Sequence, residues 1–444
     1  MSVSPPAPHA PEAAADVLHP VLRELFAELE RRELRWSLLR VPSDPAAPSG
    51  DVDVLVAPSD AASLREAASE LGFAALPGWD SAPNLILVFY DPPSDTWLLL
   101  DVLVAVEFRR PRGWQLPGAA EQVLAHRMVT KGMAVPADAD AFWLLLLHCL
   151  LDKGQVGPHH RGTLRRLAPV GLQSPLAAAV REAAGGGARF RGAPGEPSFT
   201  PELLVEAARS ERWDTLAALG DHLAVALRRR RRLRERCRVL LRDLAALARK
   251  PLLLPRRRGI SLALIGPNGV GKSTAADGLR RAFPFESRVM YMGVWKAASA
   301  TRGRGAAVAE ILSRPMRIWL RYLIAAYHQL RGRLVVFDRY VYEALLPAQP
   351  PLVAIKRVYF WLIAHSLPAP RVVVVLDTPG DVAYGRKQEN PPDELEFERR
   401  FYAQLPARVA CAQLIDASAD AQRVRAEITT LMWEALKSRW RTTP

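Results

Sequence analysis

The residues Gly266-Pro-Asn268-Gly269-Val270-Gly271-Lys272-Ser273-Thr274 fit the spacing G-x-x-x-x-G-K-[ST]. This combination suits a polyanion. Its glycines let the backbone curl, so that the N–H groups from Gly266 to Thr274 face phosphate oxygens at the positive end of the helix that follows. Lys272 is placed to reach the β- and γ-phosphates of a nucleoside triphosphate, and the Ser273 hydroxyl to bind magnesium. A second set of candidates is carboxylic. In Gly50-Asp51-Val-Asp53-Val-Leu-Val the two acids stand two apart, so on a strand they point the same way. Asp101 interrupts Trp97-Leu-Leu-Leu-Asp-Val-Leu-Val, where an unpaired acid would be costly. Three acids converging from neighbouring strands would suit a two-magnesium site for attack on an α-phosphate, with Arg40 and Lys153 contacting phosphates. The alternative is a strand-start acid pair serving only as turn and cap.

These residues need strands to hold them. The continuous aliphatic runs 260–265, 334–337 and 372–376 read as strands buried on both faces of a parallel sheet with helices between them. Before them, the pattern predicts a helix over 17–32, a strand at 36–39 and a loop over 41–50. A strand at 51–56 and a helix over 59–71 ending at Gly72 follow, then strands at 85–90 and 97–104. Helices dominate 137–247, interrupted by a Gly/Pro/Ser-rich stretch at 185–200, and 223–249 reads as one long basic helix closed by Pro251 and Pro255. The apolar run 142–151 is about half the length of a spanning helix and reads as buried. His159-His160, in a Gly/Pro setting, reads as a solvated pair. The expected division is a loose tail over 1–15, a domain over 16–155, a helical region with an arginine-rich connection over 156–250, and a domain over 259–440.

Beyond the phosphate-binding loop, the second half resembles the thymidylate-kinase family. Leu334-Val-Val-Phe-Asp338-Arg339-Tyr340 is similar to its DR[YFH] element, and Val372-Val-Val-Val-Leu-Asp377-Thr-Pro379, continuing to Ala383 and Arg386, to its LDxxPExAxxR element. Ile415-Asp416-Ala417 is similar to its late IDA strand. The resemblance covers most of 259–435 and implies a P-loop kinase α/β/α domain that binds ATP and Mg²⁺. Asp338 would hold magnesium or accept the acceptor's proton, and Arg339 would clamp the acceptor. A buried Asp338–Arg339 bridge is the structural alternative. Arg386 and Lys387 fall where the family has its mobile lid, whose basic side chains stabilise the transferred group. The chain departs from the family at Asn268, where an acid is frequent, and at Val341-Tyr342-Glu343 after the DR[YF] element. Tyr291, Trp295, Arg317, Trp319, Arg321 and Tyr322 read equally as an acceptor pocket or as core and surface. The first region, 16–155, resembles the nucleotidyltransferase fold of the polymerase-β type, without that family's Gly-Ser pair. The fold class is therefore α/β: a nucleotidyltransferase-like α+β domain with a helical extension, then the P-loop domain.

The formal charge of +14 is concentrated, with eight arginines within 228–238 and three more at 256–258. Lacking interleaved aromatics, this stretch disfavours a nucleic-acid partner and leaves a solvated linker or an anionic membrane surface. The three scattered cysteines fit a reducing cytoplasm, peripheral to a membrane if the basic stretch binds one. The leading expectation is phosphoryl transfer from ATP to a small acceptor. A nucleotide-sensing scaffold ATPase with a non-catalytic first domain is the second, and a transporter-type ATPase, disfavoured by a missing LSGGQ-like signature, the third.

Overall fold

The computed structural model describes residues 18–76, 85–185, 200–230, 259–294, 304–348, 350 and 352–441, and within 237–248 all but 238, 242 and 246. The chain divides into two units near residue 248.

In the first unit, α1 (Pro20–Arg31) starts later than the apolar pattern alone implies. Pro20 sets φ for the first helical position, and the His19 ring accepts the Val21 N–H at 3.3 Å. Strands β1 (Trp36–Leu38), β2 (Asp51–Val56), β3 (Ala74–Ala75), β4 (Leu85–Asp91) and β5 (Thr96–Leu103) form one mixed sheet in the order β1-β2-β5-β4-β3. Only β2 and β5 run parallel, in a register that sets Asp53 opposite Asp101. Val52, Val54, Leu98, Leu100 and Val102 point to the other face and are buried with α1 and α2 (Ala61–Glu70). The buried run forms α3 (Asp138–Leu147), continued by a π-turn at His148–Lys153. Helices from Pro158 to Arg230 pack around it, in a core that also takes in Leu55 and Val106.

His159 and His160 lie in the first turn of the helix Pro158–Leu167, with Pro158 at its first position, and not in a loop. His160 is half-buried; burial, then the neighbouring His159 and His148, push its ring down to about 4, so it is neutral at pH 7. The helix that contains Leu223 begins at Trp213, ten residues ahead of the expected start, and is described to Arg230. Most of the arginine cluster lies outside the described residues. Leu223 and Leu227 are in the core, whereas Leu240, Leu241, Leu244 and Leu247 are exposed.

The second unit is built on five parallel strands, β6 (Ser261–Ile265), β7 (Ser287–Tyr291), β8 (Leu334–Asp338), β9 (Val372–Asp377) and β10 (Ala412–Asp416), in the order β7-β8-β6-β9-β10. The three central strands are buried on both faces, except at the acidic ends of β8 and β9, and each buried Val or Leu contributes about 2 kcal/mol. β6, the first strand in sequence, is central, with β8 and β9 on either side. The connection from β6 to β7 therefore runs to one side and that from β8 to β9 to the other, which opens a crevice at the carboxyl ends of β6 and β8. Among the described residues no helix is long and apolar enough to cross a membrane.

Candidate active site

The crevice contains the phosphate-binding loop. Gly269 and Gly271 adopt φ of 84° and 98°, and a Cβ on Gly269 would stand 2.3 Å from the Ala383 carbonyl oxygen. Glycine is required there by conformation and by space. Helix α4, as we label Lys272–Ala282, begins at the lysine itself, so its free amino-terminal N–H groups open onto the loop. Lys272 is 6% exposed and donates to the carbonyls of Gly266 (2.8 Å) and Pro267 (2.7 Å). Burial pushes its ammonium down to about 8.

Parallel pairing of β6 with β8 brings Asp338 to the same end. The Ser273 hydroxyl donates to Asp338 Oδ2 at 3.4 Å, while among the described residues the buried Oδ1 has no hydrogen-bond partner. A buried carboxylate oxygen without a partner is costly. Beside a hydroxyl, it fits a hard divalent cation such as magnesium, which takes oxygen ligands.

Arg339 turns away from Asp338. Its backbone is left-handed, with φ of 68°, a strained geometry for arginine. Its guanidinium donates to Glu343 Oε1 at 2.5 Å and to the side-chain oxygen of Asn268. The Asp338–Arg339 bridge is therefore replaced by an Arg339–Glu343 bridge. Burial opposes the guanidinium's charge, but the Glu343 carboxylate outweighs it and raises Arg339. Glu343 is 1% exposed, and burial raises it against the pull of Arg339. Asn268 also donates to Asn390 at 3.2 Å, which ties the phosphate loop to the segment after Arg386.

One cavity of about 870 Å³ is lined by the loop residues Asn268, Gly269 and Gly271 to Thr274, by Tyr291, Asp338 and Arg339, and by Arg386, Lys387, Glu389 and Glu398. Lys387 pairs with Glu389 at 2.9 Å. Arg386 donates to the Ala417 carbonyl at 3.0 Å and also lines an adjoining apolar cleft of about 270 Å³ formed by Val270, Ala275, Leu376, Ala419 and Val424. Asp377 is held bidentate by Arg399, at 2.7 and 3.1 Å, which fastens helix Pro392–Tyr402 to the end of β9. Of the aromatic and basic residues between β7 and β8, Tyr291 lines the cavity and Arg321 lies 5.6 Å from its ring centre, whereas Trp319 is exposed. Trp295 lies outside the described residues. Sequence reasoning missed Glu343 and Glu398. The first has only its position four residues after Arg339 as a signal. The second shares helical spacing with Leu395 and Tyr402.

In the first unit, Asp53 and Asp101 do meet across β2 and β5, and Asp51 lies on the same face. The Arg40 guanidinium donates to Asp53. Burial first, and Asp53 second, raise Asp51. Arg40, Asp53, Asp101, His148 and Asp152 line a cavity of about 210 Å³, where His148 and Asp152 pair at 2.8 Å. Lys153 is exposed. Among the described residues no group of three His, Cys, Asp or Glu side chains is placed to hold a metal ion.

The depressed Lys272 sets a pH signature. Its proton is expected to leave above about pH 8, and the negative charge of a triphosphate bound at the loop would restore it. ATP binding at about pH 9 is therefore expected to take up close to one proton, and affinity to fall toward about tenfold per further pH unit. Calorimetry in two buffers of different protonation enthalpy reads the uptake. Equal heats in both would show that Lys272 does not meet the phosphates.

No family model matches the chain, and no curated protein matches it. Among solved structures the chain is similar to a thymidylate kinase from Candida albicans, described as revealing the origin of broad substrate specificity and a novel structural element. The match has 15% identity and a TM-score of 0.32, and it covers 40% of this chain and 93% of that one.

Proposed function

We propose that the second unit is a P-loop phosphotransferase of the thymidylate-kinase type, moving the γ-phosphoryl group of ATP to a small acceptor. One observation carries this reading. The phosphate loop, the unpartnered Asp338 oxygen and a further polar wall bearing Tyr291, Arg339 and Glu398 all line one cavity. A switch that only senses nucleotide has no need of that further wall.

In the derived sequence of events the triphosphate lies along the loop N–H groups, and the apolar cleft beside Arg386 receives the base. Lys272 exchanges its two carbonyl partners for phosphate oxygens, regaining full charge where negative charge builds up. Arg386, at the junction of the two cavities, spans base and phosphates. Asn268, held by Arg339 and Asn390, keeps the loop in register with the lid segment. Ser273 and Asp338 would hold magnesium, which when bound would supply charge neutralisation at the phosphates. Catalysis of this kind is mostly positioning and charge neutralisation, which these side chains supply.

The first unit reads as a nucleotidyltransferase-like fold whose acids are engaged internally, Asp53 by Arg40, so we assign it a supporting role. The test is ADP formation by the full chain with Mg²⁺–ATP, with and without candidate acceptors. An acceptor-dependent rise of about tenfold or more supports the phosphotransferase. Slow hydrolysis indifferent to every acceptor would replace it with the nucleotide-sensing reading.

A further inference from the structure

The charges around the cavity discriminate between acceptor classes. Among the described residues four cationic side chains line it: Lys272, Arg339, Arg386 and Lys387. Lys272 belongs to the triphosphate. Arg339 is committed to buried Glu343 and to Asn268, and Lys387 to Glu389. Arg386 is drawn to the Ala417 carbonyl, on the side of the apolar cleft. Arg321 lies 5.6 Å from the centre of the Tyr291 ring and is not among the residues that line the cavity. Asp338, Glu389 and Glu398 line the same space. A phosphomonoester acceptor carries between one and two negative charges, roughly −1.5 to −2 near neutral pH, and is held by guanidinium or ammonium groups free to donate to it. Here it would meet cations already paired, and carboxylates beside them.

Glu398 stands out among those carboxylates. It lies on helix Pro392–Tyr402, three residues after Leu395 and four before Tyr402, both fully buried, so helical spacing aims it inward. It is half-buried at the cavity wall, and among the described residues no hydrogen bond or ion pair holds its carboxylate. Burial raises it above the usual carboxylate range, with Glu394 adding to the effect, while Arg339 and Lys272 oppose. Asp338, the other candidate base, is engaged on the Ser273 side.

We propose that the acceptor is an uncharged hydroxyl compound of the sugar or polyol class, and that Glu398 is the catalytic base that receives its proton. This rests on the phosphotransferase reading. The acceptor oxygen forms the new bond to the γ-phosphorus, and the bond to the bridging oxygen breaks with its electron pair leaving on ADP. The hydroxyl proton passes to the Glu398 carboxylate, which later returns it to water. Atoms and charge balance with ADP, a phosphate monoester and one proton as products.

The experiment measures ADP formation by the full chain with two panels, free sugars and polyols in one and five nucleoside monophosphates in the other. ATP binding is followed by calorimetry as a control. The expected result is stimulation by members of the first panel only. Glu398→Gln should lower the acceptor-dependent kcat by about 10²–10⁴-fold with little change in acceptor KM, the range for loss of a general base. Glu398→Asp, which keeps the charge, should recover part of it and guards against a folding defect in the glutamine variant. Stimulation by monophosphates alone would overturn the acceptor class and leave the phosphotransferase standing. Undiminished kcat in Glu398→Gln would overturn the base. ATP binding without stimulation by either panel would overturn the hydroxyl acceptor. A chain that binds no ATP would remove the phosphotransferase reading beneath it.

Discussion

Lys272→Ala is expected to lower kcat for ATP turnover by about 10²–10³-fold, the cost of removing one preorganised charge from a phosphoryl-transfer site. The side chain is 6% exposed and bonded to two loop carbonyls, so its ammonium is already poised inside the cradle. Stability should respond in the opposite sense. Burial depresses this lysine, so at neutral pH its charge costs the folded chain free energy that alanine does not. The variant should melt at the same temperature as wild type or higher. Steady-state kinetics and scanning calorimetry on one preparation read both effects. Full activity in the variant would remove the loop from the chemistry. Lost activity with a collapsed melting temperature would make the lysine structural.

The second large effect is expected at Asp338→Asn. Asparagine keeps the shape and can still accept from Ser273, but it cannot offer a charged oxygen where the buried Oδ1 now lacks a partner. Turnover should fall by about 10²-fold or more, with the magnesium concentration for half-maximal rate rising about tenfold, since the change strikes charge neutralisation itself. Binding of ATP in the absence of any divalent ion should be unchanged or slightly tighter, because a negative charge near the phosphates is gone. Magnesium titrations of rate, and calorimetry with chelator present, separate the two. A variant with wild-type magnesium dependence would place the metal elsewhere.

Much of this site is written locally in the chain. The glycines, Lys272 and Ser273 belong to one nonapeptide whose strand and helix flanks are themselves continuous in sequence. The aliphatic runs that became β6, β8 and β9 could be read one by one. Parallel strands align their carboxyl ends, so Asp338 at the end of β8, read in the sequence through the resemblance to the DR[YFH] element, comes beside the loop that follows β6. Asp53 and Asp101 met for the same reason, from the periodicity of two strands.

Partnership was another matter. Arg339 follows Asp338 directly, yet a left-handed backbone at the arginine sends its guanidinium to Glu343 and to Asn268, 71 positions away. Asp53 turned out to be matched to Arg40, Asp377 to Arg399, and Trp319 faced out while Tyr291 faced the cavity. Helical and strand periods dictate which face a residue occupies. Which cation reaches which carboxylate depends on how separate elements pack and where each long side chain finds room, and so on contacts between residues distant in sequence. The chain's own order therefore determined that a glycine-rich loop curls ahead of a helix and which carboxylate stands beside it. Only the packed structure decided which charges remain available to a second substrate.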